Sequence, residues 1–158
     1  MKKFLPFVFL FIISNLTAQQ RPKLVVGIVV DQMKMEYLYR FQSDFSESGF
    51  KRLINEGYTF YNMHYNYMPT YTAPGHASIY TGTTPNNHGI VANDWYDRTT
   101  GKTKNCVEDT TVETVGSTSA YGIFSPRNLK ANTITDQLKM TYPNSKVFSM
   151  SIKNRGSI

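Results

Sequence analysis

This sequence predicts an α/β fold with a largely parallel sheet, on three observations. Residues 23–30 (KLVVGIVV) form a near-continuous apolar, β-branched run, the pattern of a strand buried on both faces. Helical patterning follows directly, and two further runs of strand character recur later in the chain. Strand and helix thus alternate, as in crossover-built sheets.

The first strand ends in Asp31, at the edge where open α/β sheets place their ligands. Residues 34–41 and 47–56 carry helical patterning, the second with Phe50, Leu53 and Ile54 on one face and Gly57 as its stop. Residues 58–65 read as a second strand, followed by a loop through Pro69. A helix is expected to open at Thr72, because Pro74 suits a first turn and Ala77-Ser78-Ile79-Tyr80 can continue it. Residues 82–89 are turn chemistry, and 90–97 carry short extended structure. Residues 99–127, rich in Thr, Ser and Gly, read as a meander or a surface insertion. A helix opened by Asn132 or Thr133 leads through Tyr142-Pro143-Asn144 into a last strand at 146–152. The chain stops six residues beyond that strand, which reads as a fragment of a longer domain.

Residues 1–18 have a basic start (Lys2, Lys3), an apolar run from Phe4 to Ile13 and a small residue at Ala18. They read as a cleavable signal peptide, giving an exported protein, secreted or periplasmic, with residues 19–158 as the mature part. The run is too short to span a bilayer, so no membrane partner is expected after cleavage. Cleavage would leave 15 Lys and Arg against 11 Asp and Glu, a net charge of +4. The basic residues are dispersed rather than clustered, which argues against nucleic acid. Cys106, the single cysteine, cannot form an internal disulfide and reads as inert.

Four features converge at the ends of the expected elements. A helix start offers unpaired N–H groups and a positive dipole end to an anion, and Thr72 puts a hydroxyl there. A metal-bound carboxylate at Asp31 would activate that hydroxyl, since Zn²⁺ lowers the pKa of a bound oxygen by many units. Asn93 would donate to a phosphate oxygen, while Lys153 and Arg155 would neutralise the remaining charge. His76 is expected to pack behind the helix start, and His64 and His88 to be ordinary loop or strand-edge residues. Tyr58, Tyr61, Tyr65, Tyr67 and Tyr71 read as packing residues, with Tyr67 and Tyr71 flanking the site.

The motifs Val29-Val-Asp31, Thr70-Tyr-Thr-Ala-Pro-Gly-His76, Gly89-Ile-Val-Ala-Asn-Asp-Trp-Tyr96 and Ser151-Ile-Lys-Asn-Arg-Gly156 resemble the alkaline phosphatase superfamily. They look most like its secreted, Thr-nucleophile, Lys/Arg-containing phosphatases of Bacteroidetes type. The resemblance implies a three-layer α/β/α fold, of which residues 19–158 would be the incomplete N-terminal part. It implies Asp31 as a zinc ligand, Thr72 as both nucleophile and ligand, and Asn93, Lys153 and Arg155 as binders of the transferred phosphoryl group. The reaction would be phosphate monoester hydrolysis through a phospho-threonine at a two-zinc site, with small-molecule phosphate esters as substrates. The Lys-x-Arg element favours monoesters, because it meets a charge that a diester lacks. Further Asp and His ligands would come from beyond residue 158, so the chain alone is expected to bind zinc weakly and to be inactive. Two alternatives stand beside this reading: a phosphodiesterase or nucleotide pyrophosphatase of the same superfamily, and a non-catalytic exported remnant. A sulfatase fits less well, for its Cys or Ser, Pro and Arg fall where this chain has Thr72, Pro74 and His76.

Overall fold

The computed structural model describes residues 22–158; the expected signal peptide at 1–18 lies outside them. Two short helices come first, α1 (Glu36–Arg40) and α2 (Phe50–Glu56), inside the two stretches of helical patterning. Gly57 closes α2, and a Cβ there would run into the Leu53 carbonyl. That carbonyl accepts the Gly57 N–H at 3.0 Å, so the close approach is part of the helix stop. The chain then crosses to α3 (Thr72–Thr81), which ends in a left-handed Gly82, and to the single turn α4 (Pro85–His88), which ends in a left-handed Gly89.

A hairpin follows, β1 (Asp94–Asp97) against β2 (Lys102–Asn105), paired antiparallel with Trp95 opposite Lys104. Two 3₁₀ turns, Ala120–Gly122 and Pro126–Asn128, carry the chain to α5 (Ile134–Thr141) and finally to α6 (Asn154–Ser157). Thr133 caps α5: its hydroxyl accepts the Asp136 N–H, and the Asp136 carboxylate accepts the Thr133 N–H at 2.7 Å. Such a reciprocal pair satisfies two orphan donors of the first turn.

The core gathers where α3, α4 and the hairpin meet. Ala73, Ile90, Cys106 and Val107 are buried, with Ala77, Trp95, Phe124 and Leu129 packed against them. Residues 99–127 are therefore not a surface insertion. Asn105 turns β2 inward, and Cys106 and Val107 after it seal the space under α3. Burial raises the Cys106 thiol above its usual range, which keeps it protonated and inert.

The three expected strands at 23–30, 58–65 and 146–152 carry no ladder among the described residues. Their side chains stand in the open: Val26 is 69% exposed and Phe148 88%. An apolar, β-branched run has the preference for a strand, but a strand exists only through a hydrogen-bonded neighbour. The one sheet among the described residues is the β1–β2 hairpin, which a four-residue turn at 98–101 closes locally. No helix among the described residues is long and apolar enough to cross a membrane.

Candidate active site

Thr72 is the first helical residue of α3; Tyr71, the N-cap, is extended and offers no side-chain cap. Immediately after Asp31 the chain swings through Gln32, whose φ of 57° is the single left-handed value at a non-glycine among the described residues. That conformation costs roughly 1 kcal/mol or more, and here it ends the extended run at the carboxylate. Asp31 consequently meets α3, and the Thr72 hydroxyl donates to Asp31 Oδ2 at 3.0 Å across 41 residues of sequence.

Asn93 joins the same point from the segment before β1. Its Oδ1 accepts the Ala73 N–H at 2.9 Å. An N–H can only donate, so this contact fixes the side-chain amide with its oxygen toward the helix and its NH₂ turned away. Pro74 has no N–H, and the Gly75 N–H reaches Tyr71 O at 3.0 Å. The N–H of Thr72 is then the one first-turn donor left without an acceptor among the described residues. With the helix dipole behind it, this N–H and the Asn93 NH₂ suit an anion beside the Thr72 hydroxyl.

Three side chains hold that first turn from behind. Tyr67 donates to Pro74 O at 3.0 Å, Tyr65 to Gly75 O at 3.4 Å, and His76 Nδ1 to Thr72 O at 2.8 Å. His76 thus packs behind the helix start, and Tyr65 and Tyr67 are clamps on the helix rather than filler. Burial raises the Tyr65 phenol above its usual range, with smaller contributions from Tyr67 and the Asp31 charge.

Lys153 and Arg155 come near by a different route. α6 packs on α3, and Lys153 stands at its N-cap with an exposed side chain. Arg155 lines a small pocket beneath the helix start with Ala73, Cys106 and Leu129, and its buried Nε has no partner. Among the described residues no hydrogen bond or ion pair joins Lys153 or Arg155 to Asp31, Thr72 or Asn93. The structure therefore assembles Asp31, Thr72 and Asn93 directly and brings the two cations only to the neighbouring helix.

Two polar features escaped the sequence reading. His88 is fully buried rather than at a loop or strand edge, because α4 turns it inward against α3. Asp109, only 6% exposed, gathers Ser125, Thr111 and Arg127, and these hydrogen bonds hold its carboxyl well below the usual range. The Ser- and Thr-rich composition of residues 99–127 gave no sign that one acid would organise that stretch.

A metal needs more donors than the described residues gather. Among the described residues no group of three or more His, Cys, Asp or Glu is placed to hold an ion. Asp31 and Thr72 supply two oxygens, where a catalytic zinc takes three protein ligands. These two residues alone do not make a zinc site.

The fold is an α/β scaffold of a known kind. Residues 25–148 match the type I phosphodiesterase / nucleotide pyrophosphatase family, and the chain belongs to that family. It is 54% identical over 143 residues to alkaline phosphatase PafA of Elizabethkingia meningoseptica, covering 89% of this chain and 26% of that protein. It is 55% identical over 139 residues to alkaline phosphatase PhoV of Synechococcus elongatus, covering 87% of this chain and 25% of that one. The crystal structure of wild-type alkaline phosphatase PafA superposes with a TM-score of 0.85 at 54% identity, over 87% of this chain and 27% of the other. The α/β fold of alkaline-phosphatase type is thereby established, and the chain spans about a quarter of the length of these relatives.

Proposed function

We propose that this chain carries the nucleophile and the phosphoryl-binding side chains of a phosphate monoesterase. The observation behind this reading is the hydrogen bond from Thr72 to Asp31, set beside an Asn93 whose amide is locked with its donors free. Thr72 Oγ1, oriented by its hydrogen bond to Asp31, gives its proton to water and attacks phosphorus. The bond to the ester oxygen breaks, the leaving oxygen takes a proton from water and departs as the alcohol, and a phospho-threonine remains for water to hydrolyse. The Thr72 N–H and Asn93 NH₂ hold the phosphoryl oxygens as charge moves onto them. Lys153 and Arg155 act as the cationic clamp; the orphaned Arg155 Nε is a donor whose burial is costly until an anion reaches it. Asp31 and Thr72 are taken as two of the donors to one of two zinc ions in a complete site, where zinc would lower the pKa of the hydroxyl. An exported location rests on residues 1–18, and the substrates on this reading are small phosphate esters.

The test joins residues 22–158 to the matching remainder of the Elizabethkingia phosphatase and compares aryl phosphate monoester with diester hydrolysis. The monoester is expected to be preferred, with Thr72→Ala cutting turnover by about a thousandfold or more. Diester preference would favour the phosphodiesterase reading instead. A Thr72→Ala chimaera with undiminished turnover would remove Thr72 from the chemistry and favour a non-catalytic remnant.

A further inference from the structure

The start of α3 is tied to the buried histidine of α4 by a chain of hydrogen bonds with one possible direction. At one end the Ile90 N–H, which can only donate, reaches His88 Nδ1 at 3.2 Å. At the other end the Pro74 carbonyl, which can only accept, takes the Tyr67 hydroxyl at 3.0 Å. Between them Ser78 Oγ lies 3.0 Å from His88 Nε2 and donates to Tyr67 Oη at 2.8 Å. The two fixed ends decide every proton: Nδ1 is bare, Nε2–H donates to Ser78, Ser78 to Tyr67, and Tyr67 to the backbone two residues after Thr72.

We infer that His88, as the neutral Nε2–H tautomer, is a positioning residue that fixes the first turn of α3 and with it the Thr72 hydroxyl. The relay joins three separate parts of the chain: the loop before α3, the middle of α3, and α4. His88 is 0% exposed and Ser78 9%, so water cannot readily replace a lost link. A second proton on His88 would set Nδ1–H against the Ile90 N–H and break the chain at that end, though Nε2–H would still donate to Ser78. Burial accordingly lowers the His88 pKa. The groups around the ring are the Ser78 hydroxyl from α3, the Tyr67 phenol from the loop, and the stem of Lys130 over the adjoining Gly89. No carboxylate contacts the ring to favour the charged form.

Thr72 as nucleophile is the reading on which the word positioning rests, but the test reads helix order and not turnover, so each can fail alone. In the full chain, ¹⁵N spectra of the His88 ring are expected to show Nε2–H, with no second protonation across the ordinary histidine range. Amide exchange at Gly75, His76 and Ala77 is then compared with exchange in the β1–β2 hairpin of the same molecule. Tyr67→Phe, Ser78→Ala and His88→Asn are expected to speed the α3 amides about tenfold relative to the hairpin. His88→Gln, whose amide can place a donor near Nε2, is expected to restore much of the protection. An Nδ1–H tautomer, a His88 that gains a second proton in the ordinary histidine range, acceleration equal in α3 and hairpin, or no acceleration would each overturn the inference.

Discussion

Two parts of this molecule use apolar residues in opposite ways. Around α3, α4 and the hairpin, a handful of buried side chains is laced by hydrogen bonds within the chain. In the runs at 23–30 and 146–152, Leu24, Ile28, Phe148 and Met150 are at least 78% exposed, and the backbone has no ladder. The first region shows that local turns can bring its partners together: Ser78 and His88 are ten residues apart, Asn93 and Ala73 twenty. The second shows that an apolar, β-branched run makes no strand without a hydrogen-bonded neighbour. Order in this chain follows the distance to a partner more than it follows hydrophobicity.

Substitutions sharpen that contrast, beginning with the largest effect. Ile90→Ala, which opens a cavity in the buried cluster, is expected to cost about 2–4 kcal/mol by denaturant titration. If Ile90→Ala cost no more than Val26→Ala, the contrast would collapse. Asp109 carries the next test, through acid. Its folded pKa lies below the usual 3.8, so its contribution is present above that value and is lost as pH falls beneath it. Hairpin stability followed by circular dichroism should therefore drop below about pH 4 in the wild type and much less steeply in Asp109→Asn. Thr133→Ala removes the α5 cap and is expected to cost about 1 kcal/mol, read as a lower melting temperature. The smallest effects belong to Val26→Ala and Phe148→Ala, within about 0.5 kcal/mol because exposed side chains have little burial to lose.

The elements legible in the sequence were those with local causes. Gly57 stops α2, Pro74 sits in the first turn of α3, and Thr133 with Asp136 opens α5, all from chemistry within four residues. The Asp31–Thr72 pairing was also readable, since a strand end and a helix start are expected to meet at one edge of the sheet. His88 gave no signal, because a lone histidine in an Asn-rich turn reads as exposed and only the packing of α4 decides otherwise. Lys153 and Arg155 were readable as cations after a strand-like run. Where their charges would point was not, for that depends on how α6 lies against α3.

Asn93 has a consequence for evolution as much as for chemistry. Its two amide atoms serve separate masters: the oxygen anchors the backbone of α3, and the nitrogen stays available. An aspartate differs from it by almost nothing in shape, and Asn93→Asp would keep the acceptor that the Ala73 N–H needs. It would also turn a donor toward the site into a negative charge and repel any anion there. One isosteric exchange would therefore separate architecture from chemistry: on the proposed reading, a lineage that took it would keep the scaffold while abandoning phosphate.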